Sequence, residues 1–250
     1  MQLSARVHLV GSGILGLSLT DEYDCNVYLL DGGTECALID TGAGYRLQPL
    51  LDEIARSGID PGRIGRILLT HKHADHSGGT AELKRLTGAS VHATETTARA
   101  VGDADTFNRG LERARRSGAY PADYVFRGVE IDEIVRHGDL VAVGELELRV
   151  IDTPGHCAGH CSFVMHTGEA TLLFTGDALL PGGQVVLQPI ADCSVPETVA
   201  SIELLGSVEP DLLLSGHGAP VLADGRRHVE FALARIRAGK VPDQLVIPGR

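Results

Sequence analysis

No apolar run in the 250-residue chain is long enough to cross a bilayer, so a membrane-spanning helix is not expected. The opening residues, Met1-Gln2-Leu3-Ser4-Ala5-Arg6, lack the basic patch and apolar core of a signal peptide, and a cytoplasmic location is expected. Positive charge is also in short supply. With 22 basic against 33 acidic residues the formal net charge is −11. Such a chain is a poor electrostatic partner for nucleic acid or an anionic membrane, and neither is expected as a partner. Cys-x-x-Cys is absent, and the five cysteines are odd in number, so reduced thiols rather than a disulfide framework are expected. Cys25 and Cys36 read as small buried core residues. Cys157, Cys161 and Cys193 lie nearer the polar motifs described below. Linkers, low-complexity tracts and short-period repeats are missing too, which favours one domain over 1–250. A small molecule is the expected partner, and a homo-oligomeric state is compatible with this composition.

What the chain does contain is apolar strand patterns alternating with helical ones, within a hydrophobic content of 43%. Strands are expected near 5–10, 13–19, 25–31 and 36–40, a helix near 45–57, a strand at 66–70, a helix near 78–87 and a strand at 90–93. The later half repeats the theme. Strands are expected near 129–135, 145–152, 161–166, 171–175 and 211–215, with helices near 196–206 and 225–238. Strands with interleaved helices imply an α/β layered domain. The polar segment at about 95–127, which carries Arg99, Arg109, Arg113, Arg115, Arg116 and Arg127, interrupts the pattern and reads as a helical insertion. Either it is a solvated helix pair or it is a lid over a substrate, in which case Arg109 and Arg113 are candidate substrate contacts.

The densest chemical signal is Thr70-His71-Lys72-His73-Ala74-Asp75-His76, where four potential ligands follow an apolar strand within six residues. Neutral imidazole and carboxylate suit zinc, iron and manganese. Three histidines and an aspartate so close would repel one another when protonated, and once buried would leave polar atoms to satisfy. A metal ion resolves both problems. Three further strands end in a similar way: Ile151-Asp152-Thr153-Pro154-Gly155-His156, Phe174-Thr175-Gly176-Asp177 and Leu214-Ser215-Gly216-His217-Gly218. Each places one ligand-type residue just past an apolar run with glycine beside it, and glycine lets backbone crowd around a small site. A fifth pattern, Gly11-Ser12-Gly13-Ile14-Leu15-Gly16, fits Gly-x-Gly-x-x-Gly, but the next strand begins too soon for the helix that a dinucleotide site needs. It reads as a hairpin between strands.

The order His-x-His-x-Asp-His, Thr-Pro-Gly-His, Thr-Gly-Asp, Ser-Gly-His-Gly closely resembles the metallo-β-lactamase superfamily, over about 40–218. The resemblance implies a four-layered αββα sandwich. It implies two divalent metal ions, zinc with iron or manganese as alternatives. His71, His73 and His156 match the ligands of the first ion, and Asp75, His76 and His217 those of the second. Asp177 matches the carboxylate shared by both. Asp40, in Leu38-Ile39-Asp40-Thr41-Gly42, matches an aspartate that orients a ligating histidine by accepting its other N–H; a plain strand-end turn is the competing reading. The implied reaction is hydrolysis through a metal-bound hydroxide, with Asp75 also a candidate proton shuttle to the leaving group.

His160, in His156-Cys157-Ala158-Gly159-His160, resembles a position of glyoxalase II-like members and is a candidate substrate contact, which points to a small thioester, ester or lactone. Those enzymes carry a Gly-Cys-Gly-Arg-type segment and a C-terminal helical region that holds glutathione. Here 179–189 reads Leu-Leu-Pro-Gly-Gly-Gln-Val-Val-Leu-Gln-Pro, and only about one helix and a tail follow, so substrate recognition is expected to involve the insertion and the 179–193 loop. Two alternatives share the fold. A persulfide dioxygenase would hold one iron on His71 or His73, His156 and Asp177, and a phosphodiesterase would use the same two metals.

Overall fold

The computed structural model describes residues 1–245. The last five residues of the expected 1–250 domain lie outside the described range. The described residues fall into two compact units, 1–134 and 135–245.

The first unit is built on a six-stranded sheet in the order β1-β2-β3-β4-β5-β6. Its strands are β1 (Val7–Gly11), β2 (Val27–Asp31), β3 (Cys36–Ile39), β4 (Ile64–Leu68), β5 (Ser90–Ala93) and β6 (Glu133–Ile134). The first three are antiparallel neighbours, and β3 to β6 run parallel. Parallel neighbours need crossover connections, and helices supply them. Helix α1 (Gln48–Arg56) joins β3 to β4 and buries Leu50 and Ile54, one turn apart on the same face. The short α2 (Ala74–Ser77) and α3 (Thr80–Thr87) join β4 to β5. Val27, Leu29, Leu38, Ile67, Leu83 and Val91 are among the side chains of this unit's core.

Between β5 and β6 stands the helical insertion, as α4 (Glu95–Gly102), α5 (Ala104–Gly110) and α6 (Glu112–Arg116). It is tied to the fold by its own polar and aromatic contacts. Phe107 stacks on Phe126 with ring centroids 3.8 Å apart. Arg115 donates from Nε to the Tyr124 carbonyl at 2.7 Å and from Nη1 to the Asn108 carbonyl at 3.1 Å.

The second unit is a five-stranded sheet in the order β11-β10-β9-β8-β7. Its strands are β7 (Leu140–Val143), β8 (Leu146–Asp152), β9 (Cys161–His166), β10 (Thr171–Gly176) and β11 (Leu212–Ser215). β7 to β10 are antiparallel neighbours, and β11 joins β10 in parallel through α7 (Val195–Leu205). Ser194 caps α7 by accepting from the Glu197 N–H, and Thr198, Ser201, Ile202 and Leu205 form its buried stripe. α8 (Gly225–Arg237) follows β11, and its Val229 and Ala232 join Ile151, Leu173, Ile202 and Leu213 in the core.

Two local differences from the sequence expectation stand out. The segment 13–19 forms turns, not a strand. Its backbone is drawn to a polar side chain and to a neighbouring carbonyl: Ser12 Oγ accepts the Leu17 N–H at 2.7 Å, and the Gly13 N–H goes to the Asp24 backbone carbonyl at 3.0 Å. No helix opens at Gly11–Gly16, and the chain turns back into β2. Conversely, β7 forms where no strand was expected, as the four-residue partner of β8 in a hairpin. No helix among the described residues is long and apolar enough to cross a membrane.

Candidate metal centre

In the first unit the ligand-type residues follow the end of β4. Leu69 and Thr70 carry the chain out of the strand, His71 is buried, and His73 begins the single turn of α2 that presents Asp75 and His76. The turn is stitched by Ser77, whose hydroxyl is placed 2.7 Å from the Lys72 carbonyl and 3.0 Å from that of His73. Thr41 adds a clasp from the end of β3, its N–H and its hydroxyl both reaching the His76 carbonyl at 2.8 Å. The rings crowd together: His71 and His76 have centroids 4.1 Å apart, and His71 and His73 4.7 Å.

Asp40 organises this loop. It lies one residue past β3 with φ of +59°, a left-handed conformation uncommon for a side-chain-bearing residue. Its buried carboxylate holds it there. Oδ1 accepts the Thr70 N–H at 2.8 Å, and Oδ2 accepts the Thr70 hydroxyl at 2.8 Å and lies 2.8 Å from His76 Nδ1. A carboxylate can only accept, so His76 carries its proton on Nδ1, and Nε2 of the neutral ring has the lone pair. Thr70 has one hydroxyl proton, already given to Asp40. The 3.0 Å contact between its Oγ1 and His71 Nδ1 therefore runs from His71, whose Nε2 is likewise the lone-pair atom. Cys25, close to Asp40 and His76, has its thiol pushed up to about 12 by burial and remains protonated. Burial also raises the Cys36 thiol, to about 11, which suits a packing role for both.

The second unit supplies three strand-end residues. Past β8, Gly155 has φ of +131°, and a Cβ there would lie 2.3 Å from the Thr198 backbone nitrogen, so only glycine fits the turn that presents His156. The His156 Nδ1 donates to the Val186 carbonyl at 2.7 Å, which again leaves the lone pair on Nε2. That carbonyl belongs to the 179–193 loop. Asp177 follows β10 and His217 follows β11, where Ser215 fixes the turn by donating to the His217 carbonyl at 2.6 Å. His156 Nε2 and His217 Nε2 each lie 3.5 Å from Asp177 Oδ2. In the neutral His156 ring this is one lone pair facing another, an arrangement that a cation between the atoms makes favourable. In the first unit His76 Nε2 faces Asp75 Oδ2 in the same manner at 3.7 Å. The donor sets therefore fit divalent metal: imidazoles, three of them (His71, His76 and His156) with Nδ1 engaged by a partner of the same unit, beside carboxylate oxygens.

His160 is buried, with both ring nitrogens engaged inside the second unit. Nε2 accepts the Asp177 N–H at 3.1 Å, so the ring proton is on Nδ1 and goes to Thr153 Oγ1 at 2.9 Å; Thr153 in turn meets Ser162 Oγ at 2.8 Å. Arg109 and Arg113 stand exposed on α5 and α6. Arg109 bonds the Thr106 hydroxyl at 2.7 Å.

Sequence reasoning passed over two participants. Thr70, between Asp40 and His71, was visible only as the residue before the first histidine. Tyr120, 45 residues beyond Asp75, left no signal: its hydroxyl donates to Asp75 Oδ1 at 2.8 Å.

Comparison with known proteins agrees with this geometry. The family model of the metallo-β-lactamase superfamily matches residues 20–217. An acyl-coenzyme A thioesterase MBLAC2 from Gallus gallus is 31% identical over 77% of this chain and 72% of its own length. A hydroxyacylglutathione hydrolase from Fuscovulum blasticum is 33% identical over 74% of this chain, and the match spans only 58% of that relative's length. Among solved structures, a metallo-β-lactamase family protein from Thermus thermophilus is 26% identical with a TM-score of 0.73, over 95% of this chain and 81% of that one. The subclass B3 metallo-β-lactamase BJP-1 of Bradyrhizobium japonicum is 25% identical with a TM-score of 0.71, over 96% and 91%. The chain belongs to the metallo-β-lactamase superfamily, and its fold is the α/β fold of that family. Within it, the chain is a glyoxalase II-like, metal-dependent hydrolase.

Proposed function

We propose that this enzyme hydrolyses a small thioester and holds two divalent metal ions, zinc in the first instance, with iron or manganese as alternatives. His71, His73 and His156 are assigned to one ion, Asp75, His76 and His217 to the other, and Asp177 to both. The observation that carries this reading is the tautomer pattern. His71, His76 and His156 each spend Nδ1–H on an acceptor of their own unit, and each offers the Nε2 lone pair. A structural histidine has no need of that uniformity, whereas a ligand does. The thioester class is supported by the relatives named as an acyl-coenzyme A thioesterase and a hydroxyacylglutathione hydrolase. The family model runs across both units, which supports reading 1–250 as one metallo-β-lactamase-like domain carrying the 95–127 insertion. None of the five cysteines is in a disulfide, which supports a reducing, cytoplasmic location.

When bound, such a metal pair supplies an ionised water near neutral pH and positive charge against the oxyanion that develops during acyl transfer. The chain's own residues do the rest. Asp40 and Thr70 hold His76 and His71 in register, and Val186 does the same for His156. His160 fixes the backbone of Asp177 by accepting its N–H, a positioning role that uses both ring nitrogens. Arg109 and Arg113 are the exposed cations we assign to an anionic substrate, such as the phosphates of an acyl-coenzyme A.

The test pairs metal analysis with a substrate panel. Purified protein should carry close to two metals per chain and turn over an acyl-coenzyme A or an S-acylglutathione faster than a lactone or a phosphodiester. Asp177→Ala should lose metal and activity together. One iron per chain with oxygen consumed on a persulfide would overturn the hydrolytic reading, and full activity in Asp177→Ala would overturn the shared-ligand assignment.

A further inference from the structure

Aromatic residues make up only 4% of the chain, yet four of its five tyrosines gather in one cluster. Tyr120 and Tyr124 stack with centroids 5.1 Å apart, Tyr23 lies 6.2 Å from Tyr120, and Tyr45 lies 6.1 Å from Tyr23 and 6.2 Å from Tyr124. The cluster is anchored at both ends. Tyr124 donates to the Ala43 carbonyl at 2.8 Å, and the exposed Tyr45 donates to Asp123 at 3.0 Å. Within it, Tyr120 makes two contacts to a single residue: its hydroxyl accepts the Asp75 N–H at 3.1 Å and donates to Asp75 Oδ1 at 2.8 Å. Because the oxygen already receives the amide proton, its own proton points at the carboxylate.

We propose that Tyr120, delivered by the end of the helical insertion, is a positioning residue for the metal site: it clamps Asp75 so that Oδ1 is occupied and Oδ2 is the oxygen offered to metal. This rests on the reading of Asp75 as a ligand. Three observations converge on it. Oδ2 is the atom that faces His76 Nε2, 3.7 Å away. The clamp grips backbone and side chain of Asp75 together, which removes rotation about both ends of a short side chain. And Asp75 sits in a four-residue helix that has too little regular structure to hold a carboxylate by itself. The insertion thereby acquires a task besides any contact with substrate: Arg115 and the Phe107–Phe126 stack fix the segment from which Tyr120 reaches Asp75.

The experiment is a competition titration of zinc against a chromophoric chelator, on wild type, Tyr120→Phe, Tyr45→Phe and Asp75→Asn. The readout is two separate zinc affinities per chain, with no turnover involved. Tyr120→Phe deletes one oxygen and keeps the ring in its stack. It should weaken the weaker zinc step about tenfold or more, the scale for losing a partner that orients a ligand, and leave the tighter step unchanged. Tyr45→Phe, which removes a hydroxyl from the same cluster but not from Asp75, should change neither. Unaltered affinities in Tyr120→Phe, or an equal loss in both steps, would overturn the proposal while Asp75→Asn still loses its weaker step. If Asp75→Asn retains both steps, Asp75 is not a ligand, and the clamp proposal falls with that assignment.

Discussion

Asp40 Oδ2 lies 2.8 Å from His76 Nδ1, and both side chains are buried. This contact sets which nitrogen of His76 can meet a metal. The same oxygen receives the Thr70 hydroxyl, which in turn accepts from His71, so one carboxylate governs two imidazoles.

Asp40→Ala should therefore lower metal affinity about 10- to 100-fold, the range for removing a partner that orients a metal-binding histidine. Asp40→Asn should fall between, because its one amide oxygen cannot serve three donors. Thr70→Val, which keeps the shape of the residue and deletes the hydroxyl, should weaken binding less than Asp40→Ala. Metal retained after dialysis against a chelator checks all three. Wild-type retention in Asp40→Ala would return Asp40 to a strand-end turn.

His160→Ala should destabilise the fold by about 1–3 kcal/mol, since it strips the Asp177 N–H and the Thr153 hydroxyl of a buried partner. Urea unfolding of metal-free protein measures this without reference to activity. Unchanged stability combined with a higher KM would instead make His160 a substrate contact.

Asp24 yields a prediction about pH. Burial raises its carboxyl from 3.8 to about 6, against hydrogen bonds from Thr20 and Ala43 that pull it down. Between pH 4 and 6 the folded protein thus holds a proton that the unfolded chain has released. The stabilising contribution is full below the unfolded value and is lost as pH rises through the folded one. Its size is on the order of 3 kcal/mol. Asp24→Asn should flatten the fall in unfolding free energy between about pH 4 and 6. An unchanged slope would show that another group titrates there.

The double variant Arg109→Ala/Arg113→Ala should raise KM for an acyl-coenzyme A about two- to thirtyfold, because each exposed charge contributes about 0.2–1 kcal/mol. The effect should shrink as salt is added. Metal content should stay at the wild-type level. An unaltered KM at low salt would assign both arginines to the solvated surface of the insertion.

Much of the fold was legible in the sequence because its signals are local. The apolar runs that became β4, β8, β10 and β11 each end a few residues before a ligand-type side chain, and the pattern of a run broken by glycine needs no knowledge of distant residues. The errors came where distant or polar contacts decide. The segment 13–19 has strand-like composition, yet Ser12, Thr20 and Asp24 draw its backbone into turns. β7 is too short to announce itself and exists because β8 is there to pair with it.

The same division holds for the site. The sequence alone determined which residues have the chemistry of ligands and in what order they come, since residue type and short spacing are written in one dimension. Only the tertiary structure decided how those residues are made fit for the task. Asp40 lies 36 positions before His76, Val186 lies 30 after His156, and Tyr120 lies 45 after Asp75. A hydrogen bond depends on distance in space and not along the chain. The choice of ring nitrogen for His71, His76 and His156, the engagement of both ring nitrogens of His160, and the clamp on Asp75 appear only when the folded chain brings those partners together.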